Sequence, residues 1–99
     1  IRIIECLKKS GMEIKDIKLF MELCVQGSET YLQRKELFLK QKEILEAEIK
    51  RMNQALDMII FKCWYYDQAI KDGNEDRVSS MRPEDMPELI QQAYENAHQ

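Results

Sequence analysis

The stretch from Thr30 to Asp72 contains no Gly and no Pro, and it is dense in Lys, Glu, Gln, Leu, Ile and Met. All of these are good helix formers. From Leu45 onward the apolar positions fall into step: Leu45, Ile49, Met52, Leu56, Ile59, Cys63, Tyr66 and Ile70. Their spacing alternates four and three without a break, which is the a/d seam of a heptad repeat. A helix over this stretch runs roughly 64 Å at 1.5 Å per residue. A domain of 99 residues is about 30 Å across and cannot surround such a rod. The seam therefore needs another copy or another chain to cover it, and the helix reads as an oligomerisation device.

Composition narrows the class. A hydrophobic content of 44% sets aside disorder for most of the chain, and 33% charged residues with three Gly and two Pro suit long helices with few turns. The formal net charge of −3 argues against nucleic-acid binding by this stretch alone, because counterion release needs a concentrated basic surface. Cys6, Cys24 and Cys63 are odd in number and far apart, so they make no disulfide framework and point to a reducing cytoplasm. No apolar run has the length of a membrane span and no signal peptide is visible, so no membrane partner is expected. The chain opens at Ile1, without Met and already in mid-pattern, which reads as a segment of something longer.

Before the long helix, Ile1, Ile4 and Leu7 share one face of a first helix over Ile1 to Lys9, which Ser10-Gly11 ends. A second helix is predicted from about Glu13 to Val25, with Ile14, Ile17, Phe20 or Met21, Cys24 and Val25 as its apolar set. Gln26-Gly27-Ser28 stops it. Two such short helices cannot bury their apolar faces alone, and the start of the long helix is the nearest surface. Thr30-Tyr31-Leu32-Gln33 has the form of a capping box, with the Thr hydroxyl serving the Gln33 N–H. Here the heptad is poor: Phe38 is in register, but Lys35 and Lys42 fall on a-type positions.

At the far end, from Met58 to Tyr66, apolar side chains spread around the whole helix, which predicts burial on several sides. An antiparallel pair centred near Asn53 satisfies both ends, because the aromatic end of one copy reaches the short helices of the other. Asp72-Gly73-Asn74 ends the rod, and polar Glu75 to Arg82 reads as a mobile linker. Pro83 to Gln99 carries a last amphipathic pattern in Leu89, Ile90, Ala93, Tyr94 and Ala97, too short to be stable unless it docks. The expected fold is all-α: two short helices packed on one long helix that forms an antiparallel coiled-coil homodimer, plus a short C-terminal helix. The parts are 1–28, 29–73 and 74–99.

The run Ile3-Ile4-Glu5-Cys6-Leu7-Lys8-Lys9-Ser10-Gly11-Met12-Glu13-Ile14-Lys15-Asp16-Ile17-Lys18 resembles the segment after the wing in bacterial MerR-type transcription regulators. Glu22 to Thr30 is similar to the lead-in to their dimerisation helix, and Gln41 to Tyr66, with its late Trp-Tyr-Tyr, to that helix itself. The resemblance covers roughly residues 1–73 and leaves 74–99 outside it. It implies a homodimer held by an antiparallel coiled coil. It also implies promoter DNA bound through a helix-turn-helix that would precede Ile1, and transcription activated by effector-dependent DNA distortion, so that RNA polymerase is engaged indirectly.

Three groups of side chains invite chemistry. Cys6, five residues before Gly11, matches the single cysteine of aldehyde and nitrosative-stress sensors in that family. Arg2, Lys8 and Lys9 could favour its thiolate; the plainer account is a small buried hydrophobe. Phe61, Trp64, Tyr65 and Tyr66 could line an effector pocket through their faces, or simply pack. Cys24 and Cys63 raise metal sensing, but there is no closely spaced ligand pair and the one His is His98, so neither a metal nor another cofactor is expected. Lys8, Lys9, Lys15 and Lys18 alternate with acids as a solvated face does. No Ser/His/Asp set, Gly-rich phosphate loop or paired carboxylates point to an enzyme. The dimerisation and effector-sensing part of a regulator is the reading these features favour. A ligand-free coiled-coil module and a thiol sensor acting through Cys6 stand beside it.

Overall fold

A computed structural model describes residues 2–99. Its elements are α1 (Arg2–Lys9), α2 (Ile14–Gln26), α3 (Tyr31–Asp72), α4 (Asp76–Ser79) and α5 (Glu88–Ala97), with single 3-10 turns at Ser28–Thr30 and Pro83–Asp85. No strand occurs among the described residues, so the class is all-α. Two compact units divide the chain, Ile1–Glu48 and Ile49–Gln99, and α3 contributes to both.

The first unit is organised by how α1 and α2 end. Gly11 takes φ +78°, a left-handed conformation that Gly adopts at little cost. Its N–H donates to the Lys8 carbonyl at 3.0 Å, and the Met12 N–H reaches the Leu7 carbonyl at 3.2 Å. This is a Schellman closure, and it carries the hydrophobic contact expected of one, since Leu7 and Met12 lie in the same core cluster. Ile17 completes that cluster, with Ile4 and Phe20 against it. Ile1, the first member of the predicted α1 face, lies outside the described residues.

The buried set of α2 differs from the predicted one. Ile17 is buried, but so is Leu23, whereas Ile14 and Val25 are exposed. The reason is that α2 has two contacts to serve. Ile17 faces α1, Phe20 meets Phe38 edge to face at 5.2 Å, and Leu23 borders the groove between α2 and α3.

Thr30 does not form the predicted capping box. Its hydroxyl points backward, 2.7 Å from the Leu23 carbonyl oxygen and 2.8 Å from that of Gly27, donating to one at a time. It also accepts from Arg34 Nε at 3.0 Å. The free carbonyls at the C-terminus of α2 outcompete the N–H groups of α3 for this hydroxyl. The last turn of α2 holds no basic residue of its own to meet them.

In the second unit the chain doubles back. Gly73, at φ +80°, closes α3 with an N–H bond to the Ala69 carbonyl. Residues 75–82, predicted as a mobile linker, contain the one-turn helix α4, and Val78 within it is 2% exposed. The polar residues around Val78 make the ties: Arg77 donates to Asp72 and Gln68 at 2.8 Å each, and Tyr65 to Glu75 at 2.7 Å. Polarity here serves a corner, not a tether. The last helical pattern begins late because Arg82 and Met86, each preceding a Pro, are held extended. Then α5 runs antiparallel to α3, with Tyr94 against Phe61 and Gln99 near Gln54. Ala93 is buried and Ile90 and Tyr94 half-buried, while Leu89, counted in the predicted apolar set, is exposed because it faces away from α3.

Candidate functional site

Within the second unit the two long faces of α3 have opposite fates. Phe61 is buried, and Gln54, Met58, Trp64, Tyr65 and Gln68 on its side of the helix are half-buried. This is the side that α5 covers, with the Phe61 and Tyr94 rings 5.0 Å apart. The seam residues Ile49, Met52, Leu56, Ile59, Tyr66 and Ile70 lie on the other side, between 51% exposed at Tyr66 and 79% at Ile70. Cys63 is exposed with them, and Leu45, in the first unit, is half-buried. A run of large apolar side chains left open at heptad spacing is the kind of surface that a partner helix covers.

The aromatic end is thus apolar all round for a reason that periodicity did not supply. One of its sides is filled by the chain's own α5. Of the four candidate effector residues, Phe61 is the buried hub, with ring centroids 6.2 Å from Trp64 and 6.1 Å from Tyr65. Tyr66 packs edge-on against Tyr65 at 5.0 Å but opens toward the seam. Lys62 Nζ stands 5.5 Å from the Tyr65 centroid and 5.9 Å from that of Phe61, within cation–π range of both. The hydrogen bond from Tyr65 to Glu75 holds the phenol above its ordinary pKa, since it favours the protonated form and sets a carboxylate beside it. The residues that sequence reasoning missed here are Val78 and Met86, both buried. Each is a single apolar residue in a polar stretch, and no period marks it.

The first unit offers a second kind of surface. A groove of about 460 Å³ runs between α1 and α2, with Ile4, Ile14, Ile17 and Met21 as its floor and Lys8, Lys18 and Glu22 on its rim. Another, of about 320 Å³, lies between α2 and α3, flanked by Leu19, Leu23, Leu37 and three polar side chains. Cys6 is exposed on α1, and Cys24 is half-buried on α2. All three cysteines are free thiols. No group of three His, Cys, Asp or Glu side chains that could hold a metal gathers among the described residues. No helix among them is long and apolar enough to cross a membrane.

Over 67 residues the chain is 34% identical to an uncharacterized HTH-type transcriptional regulator of Haemophilus influenzae. The match takes in 68% of this chain and 50% of that protein, so the chain spans about half the length of the relative it matches. No protein-family model matches the chain. No solved structure matches it either.

Proposed function

We propose that this chain is the dimerisation and effector-sensing part of a MerR-like transcription regulator. The observation that carries the reading is the two-sided α3, covered by α5 on its Phe61 side and open along Ile49, Met52, Leu56, Ile59, Tyr66 and Ile70. A second copy laid antiparallel along that seam would remove these side chains from water at roughly 25 cal/mol per Å² of apolar area. The relative's name, an HTH-type transcriptional regulator, supports placing the dimer in transcription control. So does the resemblance of residues 1–73 to the region after the MerR wing.

In this reading promoter DNA is bound through a DNA-reading region N-terminal to Ile1, and RNA polymerase responds to the shape of that DNA. The effector acts at the aromatic end of α3, where Trp64 and Tyr65 flank the Phe61 ring and Tyr66 packs on Tyr65. It works as a population shift, by binding one arrangement of the two copies better than the other. A ligand without that preference would change nothing, however tightly it bound.

Paired spin labels at Lys71→Cys, in a chain whose own cysteines are replaced by Ser, test the arrangement. Antiparallel copies crossing near Asn53 place the labels roughly 54 Å apart, from 1.5 Å per residue. Side-by-side parallel copies place them roughly 10–20 Å apart, given helix spacings of 8–10 Å. The short distance, or a monomer in sedimentation equilibrium at micromolar concentration, sinks the proposal. A thermal-shift screen of the dimer against drugs, aldehydes and metals separates an effector-sensing part from a ligand-free module.

One observation favours a second reading, the thiol sensor. Cys6 is exposed, which removes the account of it as a buried core filler. An unchanged aldehyde response of Cys6→Ser in a promoter assay of the intact regulator disposes of that reading.

A further inference from the structure

We propose that the groove between α1 and α2 is a binding site for a small organic anion with an apolar body. This inference is independent of the regulator reading and concerns the opposite end of the sequence from the aromatic residues.

The floor comes from two helices at matching spacing. Ile14, Ile17 and Met21 follow one another along one face of α2, and Ile4 faces them from α1. Ile17 at 6% exposure forms the bottom, while Ile14 and Met21 remain open at 66% and 41%. The volume of about 460 Å³ falls within the range of roughly 300–1,000 Å³ usual for small-molecule sites. It suits a one- or two-ring compound.

Charge then selects among such compounds. Lys8 from α1 and Lys18 from α2 both border the groove. Neither belongs to an ion pair among the described residues, whereas Lys15 and Lys40 in the same unit do. Glu22 also borders the groove, leaving a local excess of one positive charge. Acidic and basic residues balance over the whole of Ile1–Glu48, so this excess is local. A ligand that fills the floor and carries a carboxylate gains both the apolar burial and two ammonium partners. A neutral isostere gains only the first, and a bare inorganic anion only the second.

The test uses the full chain with 13C-methyl Ile and Met, titrated with 1-naphthoate, 1-naphthalenemethanol and inorganic phosphate. The expected result is saturable shifts at the Ile4, Ile14, Ile17 and Met21 methyls with naphthoate. Binding of the alcohol should be about tenfold weaker, and phosphate should produce no shift. The double substitution Lys8→Gln with Lys18→Gln should remove the preference for naphthoate over the alcohol. Ile14→Glu should abolish binding; Ile14 opens α2 and is exposed, and an acid is welcome in a helix's first turn, so the fold is kept. Equal affinity for naphthoate and the alcohol overturns the proposal. So does the absence of saturable groove shifts at millimolar naphthoate, or shifts confined to Ile49, Ile59 and Ile70. None of these outcomes bears on the Lys71 label distance, so the two readings fail separately.

Discussion

Arg34, one turn into α3, donates from Nη2 to the Gly27 carbonyl oxygen at 2.8 Å and to that of Leu23 at 3.2 Å. The end of α2 is thus capped by a side chain from the next helix. Gln41, two turns further along, does the same for α1, with Nε2 2.9 Å from the Ser10 carbonyl. A cation at a helix C-terminus adds a favourable dipole contact to the hydrogen bonds.

Removing this cap should be felt in the first unit. Arg34→Met keeps the stem but removes the charged donor, leaving the Leu23 carbonyl to the Thr30 hydroxyl and the Gly27 carbonyl to the Thr30 N–H. The expected cost is about 1.5–3 kcal/mol, the usual worth of hydrogen bonding to a charged group. Arg34→Lys should recover part of it, since an ammonium keeps the charge but loses the fork. Urea unfolding at fixed protein concentration measures both, and a wild-type midpoint for Arg34→Met refutes the capping role.

The grip of α5 on α3 makes a second contrast. Phe61→Ala empties the hub beneath Tyr94 and should cost about 3–5 kcal/mol, the range for buried aromatic truncations. Leu89→Ala, one turn from Ala93 but 78% exposed, should stay within about 0.5 kcal/mol. Amide exchange over residues 88–97 reports the difference locally. Phe61→Ala should bring these amides to near-unprotected rates while Leu89→Ala leaves them slow.

Tyr65 should titrate late. A free tyrosine has a pKa of about 10, and the bond to Glu75 raises that of Tyr65. Because the folded value lies above the unfolded one, the bond's contribution is complete below about pH 10. It disappears as the pH climbs through the raised value. Absorbance at 295 nm, taken as wild type minus Tyr65→Phe, should show the late step, and Glu75→Gln should bring it earlier. A step at the free-tyrosine value in the wild-type chain contradicts the bond.

Sequence periodicity made some of this architecture legible and hid the rest. The extent of α3, the break at Gly11 and the face shared by Ile4 and Leu7 all follow from local spacing and local propensity. Thr30 was misassigned because its pattern with Gln33 fits a local cap, while its actual partners lie behind it on α2. Phe61, Trp64 and Tyr65 read as a cluster, but a heptad shows which residues share a face without showing what covers it. The cover is α5, whose amphipathic pattern at Ile90, Ala93 and Tyr94 was legible, whereas the buried Val78 and Met86 lie in stretches with too few apolar residues to register as a period. The seam was legible as a heptad face, whereas the groove was not, because its lining is drawn from two helices, α1 and α2.

The two exposed thiols can test whether the open seam is in use. Cys6 lies on α1 in the first unit, and Cys63 lies on the seam between Ile59 and Tyr66. In a single copy both are accessible and should react with a thiol reagent at comparable rates. In a dimer closed along α3, Cys63 is covered while Cys6 is not. The expected result at micromolar concentration is therefore fast labelling of Cys6 and labelling of Cys63 slower by about tenfold or more. That separation corresponds to roughly 1.4 kcal/mol or more of protection, read as an opening equilibrium. Ile59→Glu puts a charge into the seam next to Cys63, where an unpaired buried carboxylate is strongly disfavoured. It should dissociate the dimer and bring Cys63 up to the rate of Cys6. The helix itself should survive, because Ile59 is 58% exposed in the single chain. Peptide mass mapping after timed alkylation gives the two rates in one experiment. Equal rates in the wild-type chain would mean that nothing covers α3 on that side.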